Sequence, residues 1–515
     1  MCGVFGYVGK KDALKTCLQG LEKLEYRGYD SSGIGGVVGG HIALCKKAGK
    51  LAELKKALDL TSLNVAIGHT RWATHGAVND LNAHPHVDAH RSICLIHNGI
   101  IENHETLRKE LEAEGVRFAS DTDSETVAQL LAKYYRGSLI EAMQKTIARL
   151  EGIFALLAVH KDHPDEIVAA ARACPLSIAV DDAQTEALAA SDPNAFFGMA
   201  LNVSFLHADE TALLKQGTVL FYDAAGRPIA KKTEKFQASA HPPSKAGYET
   251  FMLKEIHEQP ITMRSAMVGR MEFEAFQPLA RVAHEIDSVL IFGCGTSMHA
   301  GMIAERWIET FASIPARVEI ASEGRYRPLL FASPNTWVIA ISQSGETADT
   351  LAAVREAKSK NARVLAICNV KNSTLTREAD HTLLLQAGPE ISVCSTKAFT
   401  SQITTLALFA LFLGLKKKKC SMGLLETYLN ELREIPEKIE ALFRKEESLK
   451  ALAKKYHRYD DFFFMGRNYM YPTCLEAALK LKEISYVHAN GYPGGELKHG
   501  PIALLDPSFP VLAFA

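Results

Sequence analysis

Cysteine is scarce in this sequence, with ten residues among 515. That number is too small for a disulfide framework. No two cysteines form a CxxC pair of the kind found in zinc ribbons and thioredoxin-like proteins. The simplest interpretation is a reduced, cytoplasmic protein.

The sequence also lacks an excess of charge of one sign, because it has 58 Lys and Arg residues and 59 Asp and Glu residues, which gives a net charge of -1. No global field attracts nucleic acid or an anionic membrane, and we expect neither as a partner. The most apolar run, 403–415, is shorter than the ~20 residues that a membrane span needs. We interpret it as a buried helix that ends in four lysines. The N-terminus lacks a basic segment followed by an apolar stretch, so we expect no signal peptide.

The residues that are present describe a soluble globular enzyme, with 47% hydrophobic and 23% charged residues in a chain long enough for about three domains. Residues 1–235 mix predicted strands with helices, typical of an α+β fold. The strands are expected at 4–8, 65–68, 93–96 and 153–159, and a helix at 124–135 with Thr122 or Asp123 as its cap. Residues 236–250 are polar and contain Pro242-Pro243, which favours a linker.

The remaining sequence alternates strands and helices, the pattern of an open parallel sheet. Strands are predicted at 288–292, 336–341 and 363–368. Comparing each residue with the one 173 positions later indicates an internal repeat that needs no gap over about 50 residues. Matching pairs include Gly293 with Gly466, Ala304 with Ala477, Glu323 with Glu496, and Pro328 with Pro501.

The second copy of the repeat stops where the first copy reaches its second predicted strand. We therefore expect an incomplete second sheet with an unpaired edge and an uncovered face. Either the chain is truncated or another chain completes the sheet, and the exposed apolar surface predicts poor solubility unless a partner covers it.

Cys2 directly follows the initiator methionine. Removal of Met1 would leave a thiol and an α-amine on one residue, and that amine can act as the base for its own nucleophile. Arg71 follows a predicted strand and could hold a carboxylate in bidentate fashion. Asn98-Gly99 follows another and offers an oxyanion hole, while Asp123 can bind an α-ammonium group. Together these residues suggest acyl transfer from the side-chain amide of an amino acid to Cys2.

Several sequence motifs resemble a known family. MCGVFGYVG, EYRGYDSSG, HTRWATHG, HNGIIENHE and TDSE are similar to the N-terminal-nucleophile glutamine amidotransferase domain. FGCGTS, SQSGETADT, STKAFT, LKLKEISY and GELKHGP resemble paired sugar-isomerase domains. That combination, over essentially the whole chain, is the pattern of the glutamine–fructose-6-phosphate aminotransferase family.

The resemblance implies an α+β N-terminal-nucleophile hydrolase domain with four αββα layers, followed by two α/β sugar-isomerase domains with parallel sheets, the second incomplete. The implied boundaries are 1–235 for the glutaminase domain, 236–250 for the linker, 251–435 for the first isomerase domain and 436–515 for the second. The implied reaction converts L-glutamine and D-fructose 6-phosphate to L-glutamate and D-glucosamine 6-phosphate, with no cofactor, in a cytoplasmic homodimer.

The resemblance also assigns roles to residues. Cys2 would be the glutaminase nucleophile, Asn98 and Gly99 the oxyanion hole, and Trp72 a gate for ammonia. Glutamine would be held by Arg71, Thr74, His75 and Asp123. The sugar phosphate would bind Ser342, Gln343, Ser344 and Thr347 in a loop that opens a helix, where backbone N–H groups favour an anion. Thr296, Ser297, Val393 and Ser395 would complete the sugar pocket.

In the isomerase half, Glu483 would move a proton between sugar carbons C1 and C2, with Lys480 beside it. The spacing of this pair also fits an ordinary ion pair on a helix surface. His499 would open the sugar ring, either in its own subunit or in that of a dimer partner. The family's Schiff-base lysine lies in a C-terminal segment that this sequence does not contain. The resemblance therefore implies an intact glutaminase half and an amination step that lacks this lysine.

Two alternatives to the aminotransferase stay open. One is a glutaminase alone, or a glutaminase coupled to another acceptor, although no phosphoribosyltransferase or ATP-pyrophosphatase motif is found. The other is a sugar-phosphate-binding regulator with inactive domains. A metal site is not expected, because His84, His86, His90 and His97 near Asp88 lack the spacing of metal ligands. No glycine-rich nucleotide motif is present.

Overall fold

The computed structural model describes residues 2–25, 28–72, 76–196, 198–199, 201–235, 244–331 and 335–515. The chain divides into two compact units, an N-terminal unit over Met1–Pro242 and a C-terminal unit over Pro243–Ala515. Most of the predicted linker, 236–243, lies outside the described residues.

Two antiparallel sheets form the centre of the N-terminal unit. Within the described residues, sheet 1 has the order β15-β11-β9-β10-β1-β4-β2-β3, and sheet 2 has the order β14-β13-β12-β8-β7-β6-β5. The strands are β1 (Gly3–Gly9), β2 (Ser31–Val38), β3 (His41–Ala48), β4 (Val65–Arg71), β5 (His86–Val87), β6 (Ile93–Ile101), β7 (Gly152–His160), β8 (His163–Arg172), β9 (Ser177–Asp181), β10 (Glu186–Ala190), β11 (Leu201–Phe205), β12 (Glu210–Lys215), β13 (Thr218–Tyr222), β14 (Pro228–Ile229) and β15 (Glu234–Lys235).

Alternating side chains explain why the two sheets stack, since successive residues of a strand point to opposite faces. Val4 and Val8 of β1 belong to the apolar cluster between the sheets, with residues of β7 and β8. Phe5 and Tyr7 belong instead to the cluster beneath a helix on the outer face of sheet 1.

Helices cover both outer faces, which completes the predicted αββα layers. The helices of this unit are α1 (Ala13–Leu24), α2 (Leu51–Ala57), α3 (His104–Ala113), α4 (Asp123–Tyr134) and α5 (Leu139–Ile147). The first two pack on sheet 1 and the other three on sheet 2. The strands predicted in this region are all present, and Thr122, not Asp123, is the cap of α4.

The C-terminal unit begins with helix α6 (Phe251–Met267) and then builds a parallel sheet, sheet 3, in the order β17-β16-β18-β19-β20 within the described residues. Its elements are β16 (Ser288–Gly293), α7 (Thr296–Ala312), β17 (Ala316–Ile320), α8 (Ala321–Gly324), β18 (Thr336–Ser342), α9 (Ala348–Ser359), β19 (Arg363–Cys368), α10 (Thr374–Glu378) and β20 (His381–Leu384). All of its strand pairs are parallel, as predicted.

The most apolar run of the sequence lies in helix α11 (Lys397–Lys416), which belongs to the main apolar cluster of this unit. In the described part of the chain it is the one helix long and apolar enough to cross a membrane. Its most apolar 18-residue stretch is 78% buried inside the fold. That burial is typical of a core helix. Helices α12 (Met422–Phe443) and α13 (Glu446–Tyr456) follow.

The internal repeat is confirmed by the next elements, β21 (Asp461–Gly466), α14 (Met470–Ser485), β22 (His488–Pro493) and β23 (Val511–Ala513). The bounds of β21 are those of β16 shifted by the offset found in the sequence. Sheet 4 has the order β22-β21-β23 in the described residues, which matches β17-β16-β18 of sheet 3. The sequence analysis missed β17 and its counterpart β22, so the second copy contributes three strands where two were predicted.

Candidate functional site

Cys2 lies at the entrance to β1, beside the end of β4. Its Sγ accepts a hydrogen bond from the backbone N–H of Trp72 at 3.2 Å and lies 3.4 Å from the carbonyl oxygen of that residue. Because β1 and β4 pair directly, the register that places Gly3 opposite Thr70 also brings the two segments together. The sheet therefore fixes the position of the predicted nucleophile.

Asn98 and Gly99 lie in β6 of the facing sheet. The Nδ2 of Asn98 donates to the carbonyl oxygen of Cys2 at 2.8 Å, which joins the two sheets at this point. Gly99 has a φ of +123°, and a Cβ there would overlap the carbonyl oxygen of Ile153. Only glycine fits this backbone, so the orientation of its N–H depends on the absence of a side chain.

Asp123 is the first residue of α4 and is almost fully buried. Its Oδ2 accepts the backbone N–H of Ile101 at 2.9 Å, and its Oδ1 accepts the hydroxyl of Ser124 at 3.1 Å. The helix start is held by Thr122, whose side chain accepts the N–H of Glu125. Backbone donors at a helix N-terminus stabilise a carboxylate in the ionised form, which suits a partner for an α-ammonium group.

Arg71 ends β4 and is 4% exposed. Burial lowers the pKa of its guanidinium from the usual value, and the nearby Cys2, Asp123 and Asp30 offset part of that effect. A cation this buried, next to a carboxylate, is suited to binding a substrate carboxylate.

One cavity collects these groups in the N-terminal unit. It is lined by Cys2, Arg71, Trp72, His84, His97, Gly99, Thr122, Asp123 and Ser124. The predicted residues Thr74 and His75 lie outside the described residues.

Buried imidazoles form the wall behind this cavity. His84 stacks on His69 with 4.1 Å between ring centroids and meets His86 edge-on at 4.7 Å. Burial lowers the pKa of His69 to about 3, and it lowers those of His84 and His86 well below their ordinary range. Neutral rings packed in this way act as structure. Among the described residues, no group of three or more His, Cys, Asp or Glu side chains is arranged to hold a metal ion.

The predicted sugar residues of the C-terminal unit lie where the topology of sheet 3 changes direction. Neighbouring strands β16 and β18 are followed by helices α7 and α9, which pack in different apolar clusters on opposite faces of the sheet. Ligands of open α/β sheets bind in the crevice outside the strand ends at such a point. Thr296 and Ser297 follow β16, and Ser342, Gln343, Ser344 and Thr347 follow or end β18.

The loop between β18 and α9 is stabilised by its own hydroxyls. Ser342 Oγ accepts the backbone N–H of Gly345 at 2.9 Å, and Ser344 Oγ accepts that of Glu346 at 3.1 Å. Gly345 has a φ of +69°, and a Cβ there would overlap the hydroxyl of Ser373. The resulting turn at a helix N-terminus can bind an anion such as a phosphate.

Helix α14 brings the predicted base to the same unit. Lys480 Nζ lies 2.9 Å from Glu483 Oε2 and donates to Thr296 Oγ1 at 3.0 Å. The pair is thus an ion pair, and it also contacts a predicted sugar-binding residue on α7. Cys394 Sγ donates to the same Glu483 oxygen at 3.0 Å, and burial is the main reason that the pKa of this thiol is raised to about 12.

The other predicted residues lie further out. Ser395 Oγ donates to Glu390 Oε2 at 2.8 Å, and Val393 is 38% exposed. His499 is exposed in a 3-10 turn over Glu496–His499, and none of the contacts found among the described residues joins it to Glu483.

Sequence reasoning missed three residues that join this network. Glu476 and His299 are both buried, with 2.7 Å between Oε2 and Nδ1, and Gln402 donates to Ser297 Oγ at 3.1 Å. Glu476, Lys480 and Glu483 are spaced at i, i+4 and i+7 on one helix face, which is a signal that the sequence contains.

Comparison with known proteins matches both units. Residues 69–198 match the model of a glutamine amidotransferase domain, and residues 284–412 and 456–515 match that of the SIS domain. A solved structure titled as the C-terminal domain of glucosamine-fructose-6-phosphate aminotransferase from Francisella tularensis is similar at a TM-score of 0.51. It is 40% identical, and the match covers 53% of this chain and 77% of that one.

Curated relatives extend the match to the whole chain. A glutamine–fructose-6-phosphate aminotransferase (isomerizing) of Caldanaerobacter subterraneus subsp. tengcongensis is 43% identical over 524 residues, with 100% of this chain and 86% of the relative covered. The enzyme of the same name from Thermus thermophilus is 43% identical over 520 residues, with 100% and 85% covered. The chain therefore belongs to the family of isomerizing glutamine–fructose-6-phosphate aminotransferases, and it is an enzyme.

Proposed function

We propose that the chain transfers the amide nitrogen of L-glutamine to D-fructose 6-phosphate, producing L-glutamate and D-glucosamine 6-phosphate. The observation that carries the proposal is a cavity in the N-terminal unit that is lined by Cys2, Arg71, Gly99 and Asp123 together. These are the groups needed to bind an amino acid by its α-carboxylate and α-ammonium while a thiol reaches its side-chain amide.

In the proposed glutaminase reaction, Cys2 Sγ attacks the amide carbonyl carbon of glutamine. The α-amine that removal of Met1 exposes takes the thiol proton, since a cysteine at the N-terminus carries both groups. The N–H of Gly99 and the Nδ2 of Asn98 stabilise the oxyanion of the tetrahedral intermediate. Ammonia leaves with the proton from that amine, and water then hydrolyses the thioester to glutamate.

Recognition of glutamine would rest on opposite charges. Asp123 would bind the α-ammonium group and Arg71 the α-carboxylate, each as a charge-assisted hydrogen bond in a buried site. Thr74 and His75 would complete the pocket, and Trp72, whose backbone already contacts Cys2, would gate the exit of ammonia.

In the C-terminal unit, the phosphate would bind the Ser342, Gln343, Ser344 and Thr347 loop, and the sugar chain would contact Thr296, Ser297, Val393 and Ser395. Glu483 would act as the base between C1 and C2 of the sugar, with Lys480 holding its Oε2. His499 would assist ring opening, in a homodimer in which two copies pack through their isomerase domains.

The proposed division of the chain follows from these roles: a glutaminase domain over 1–235, a linker over 236–250 and isomerase domains over 251–435 and 436–515. We propose a cytoplasmic location, which agrees with the free cysteines of the structure.

Two assays on the full chain test the proposal: glutamate release from glutamine, and deuterium exchange at C1 of fructose 6-phosphate in D2O. Cys2→Ala is expected to abolish glutamate release but not exchange, and Glu483→Gln the reverse. Lys482→Gln, an exposed neighbour on α14, is the control and should leave both intact. Exchange that survives Glu483→Gln would contradict the assignment of the base, and mass spectrometry showing a retained Met1 would contradict the α-amine mechanism.

A further inference from the structure

A chain of four ionisable groups connects α7 to the proposed base on α14. His299 Nδ1 lies 2.7 Å from Glu476 Oε2, Glu476 Oε1 lies 3.1 Å from Lys480 Nζ, and Lys480 Nζ lies 2.9 Å from Glu483 Oε2. The order is therefore imidazole, carboxylate, ammonium, carboxylate. His299 is the end furthest from the base.

Burial makes the charge balance among these four ionisable groups important. Glu476 is 5% exposed and His299 is 6% exposed, so neither is solvated well enough to carry an uncompensated charge. Lys480 alone cannot neutralise both carboxylates, and His299 is the remaining basic side chain that contacts them among the described residues. A protonated His299 gives two cations and two anions.

The contacts also show which oxygen of Glu483 is engaged. Oε2 receives both Lys480 Nζ and Cys394 Sγ, while Oε1 receives no hydrogen bond from the described residues. Thr296 Oγ1 bridges the middle of the chain, since it donates to Glu476 Oε1 and accepts from Lys480 Nζ. The network thus engages one oxygen of Glu483 and leaves the other without a hydrogen bond from the described residues.

We propose that His299 is a positioning residue for sugar isomerisation: as an imidazolium it balances Glu476, holds Lys480 between the two carboxylates, and so sets the pH at which Glu483 Oε1 accepts the sugar proton. This inference rests on the proposed role of Glu483. It gives Glu476 and His299 a part in the reaction that acts through Lys480.

The titratable groups that face Glu483 come from three segments. Glu476 and Lys480 lie on its own helix, His299 on α7, and Cys394 on the segment between β20 and α11. Burial is the largest influence on Lys480 and acts to lower its pKa, but the attraction of Glu476 and Glu483 outweighs it, so the pKa of Lys480 is raised.

Opposite shifts of one pH profile test the proposal. His299→Gln removes a positive charge, so protonation of Glu483 becomes easier. The acidic limb of the pH profile of the C1 deuterium-exchange rate therefore moves to higher pH, by about one unit. Glu476→Gln removes a negative charge and moves the same limb to lower pH by a similar amount. The double variant restores the balance, and its profile should return close to that of the unmodified chain.

A merely structural role would not produce this pattern. Loss of packing would lower the exchange rate at every pH, and the double variant would be worse than either single variant. Fructose 6-phosphate binding, measured by calorimetry, confirms that each variant keeps a folded sugar site. If the single variants show no opposite shift while Glu483→Gln still abolishes exchange, the inference fails and the proposed base stands.

A second readout does not depend on turnover. The carboxyl carbon of Glu483 can be followed by 13C NMR in the full chain, with its signal assigned by its loss in Glu483→Gln. Its titration midpoint should move up in His299→Gln and down in Glu476→Gln. Unmoved midpoints would overturn the inference even if the chain does not exchange the sugar proton.

Discussion

The two candidate sites hold their charged groups in different ways. In the N-terminal unit, Cys2 and Asp123 receive hydrogen bonds from the backbone N–H groups of Trp72 and Ile101. In the C-terminal unit, Lys480 and Glu483 are held by side chains, including each other's charges and the carboxylate of Glu476. A backbone donor keeps its place when a neighbouring side chain changes, whereas a network of charges rearranges. We therefore expect the first site to respond to substitution residue by residue, and the second to respond as a unit.

The largest effect is expected for Cys2→Ala, which removes the only proposed nucleophile. Glutamate release should fall at least about 1,000-fold, because the alanine side chain has no nucleophilic atom to attack the amide carbon. Cys45→Ala is the matched control, since Cys45 lies on β3 away from the cavity. Glutamate release by Cys2→Ala within tenfold of the unmodified chain would show that Cys2 is not the nucleophile.

Asp123→Asn tests whether the backbone-held carboxylate recognises the α-ammonium group. The amide can still accept the N–H of Ile101 but carries no charge, so kcat/KM for glutamine should fall about 100-fold, mostly through KM. Asp121→Asn, an exposed residue two positions earlier, should change it less than about twofold. Equal effects of the two substitutions would remove Asp123 from the binding site.

Glu255 on α6 supports the C-terminal site from outside it. Its carboxylate accepts the backbone N–H groups of Ile391 and Ser392, which precede the predicted sugar residues Val393 and Ser395. Burial raises its pKa from 4.5 to about 7, the hydrogen bond from Ile391 lowers it in part, and the charge of Glu390 raises it further. Protonation thus affects a contact next to the sugar site.

The raised pKa predicts a pH-dependent stability. Between pH 4.5 and about pH 7 the folded protein binds more protons at Glu255 than the unfolded protein does. The stabilisation is therefore fully present below the pKa of Glu255 in the unfolded protein, 4.5, and is lost as the pH rises through about 7. The loss amounts to roughly 3–4 kcal/mol. In chemical denaturation at several pH values, the free energy of unfolding of the C-terminal unit should lose this pH dependence in Glu255→Gln. The control Glu249→Gln, at an exposed residue, should keep it. Identical slopes would contradict the assignment.

The smallest effect is expected for Cys394→Ala. Its thiol is one of two donors to Glu483 Oε2, and Lys480 remains as the other. A hydrogen bond of this kind contributes about 1 kcal/mol, so C1 exchange should change roughly two- to fivefold. A loss as large as that of Glu483→Gln would mean that the site does not respond as a network.

The sequence predicted the fold best where strands are buried on both faces. Apolar runs such as 288–292 and 363–368 coincide with strands, because burial of both faces requires continuous apolar sequence. The run Ala316–Ile320 was missed, since it is an edge strand in which no residue is fully buried. The cap of α4 required the structure, because Thr122 and Asp123 are both good capping residues.

The candidate sites were predictable to different degrees, depending on whether their residues lie in one sequence motif or meet only in the folded protein. Cys2, Arg71 and Asp123 each lie in a contiguous motif beside or at the end of a strand or at the start of a helix. Asn98 lies in a contiguous motif too, but inside β6, because that strand continues to Ile101 and not only to the predicted residue 96. The pair of His299 and Glu476 joins residues 177 positions apart in the chain, on two helices that meet only in the folded unit. The spacing of Glu476, Lys480 and Glu483 indicated a shared helix face, but the identity of the partner across that face required the structure.

The most direct test of the account follows the nitrogen from one site to the other. The full chain is incubated with glutamine labelled with 15N in its side-chain amide and with fructose 6-phosphate, and both products are analysed by mass spectrometry. We predict glutamate together with 15N-labelled glucosamine 6-phosphate, both lost in Cys2→Ala. Glutamate without labelled amino sugar, or labelled amino sugar formed by Cys2→Ala, would contradict the proposal that these two sites act in one reaction.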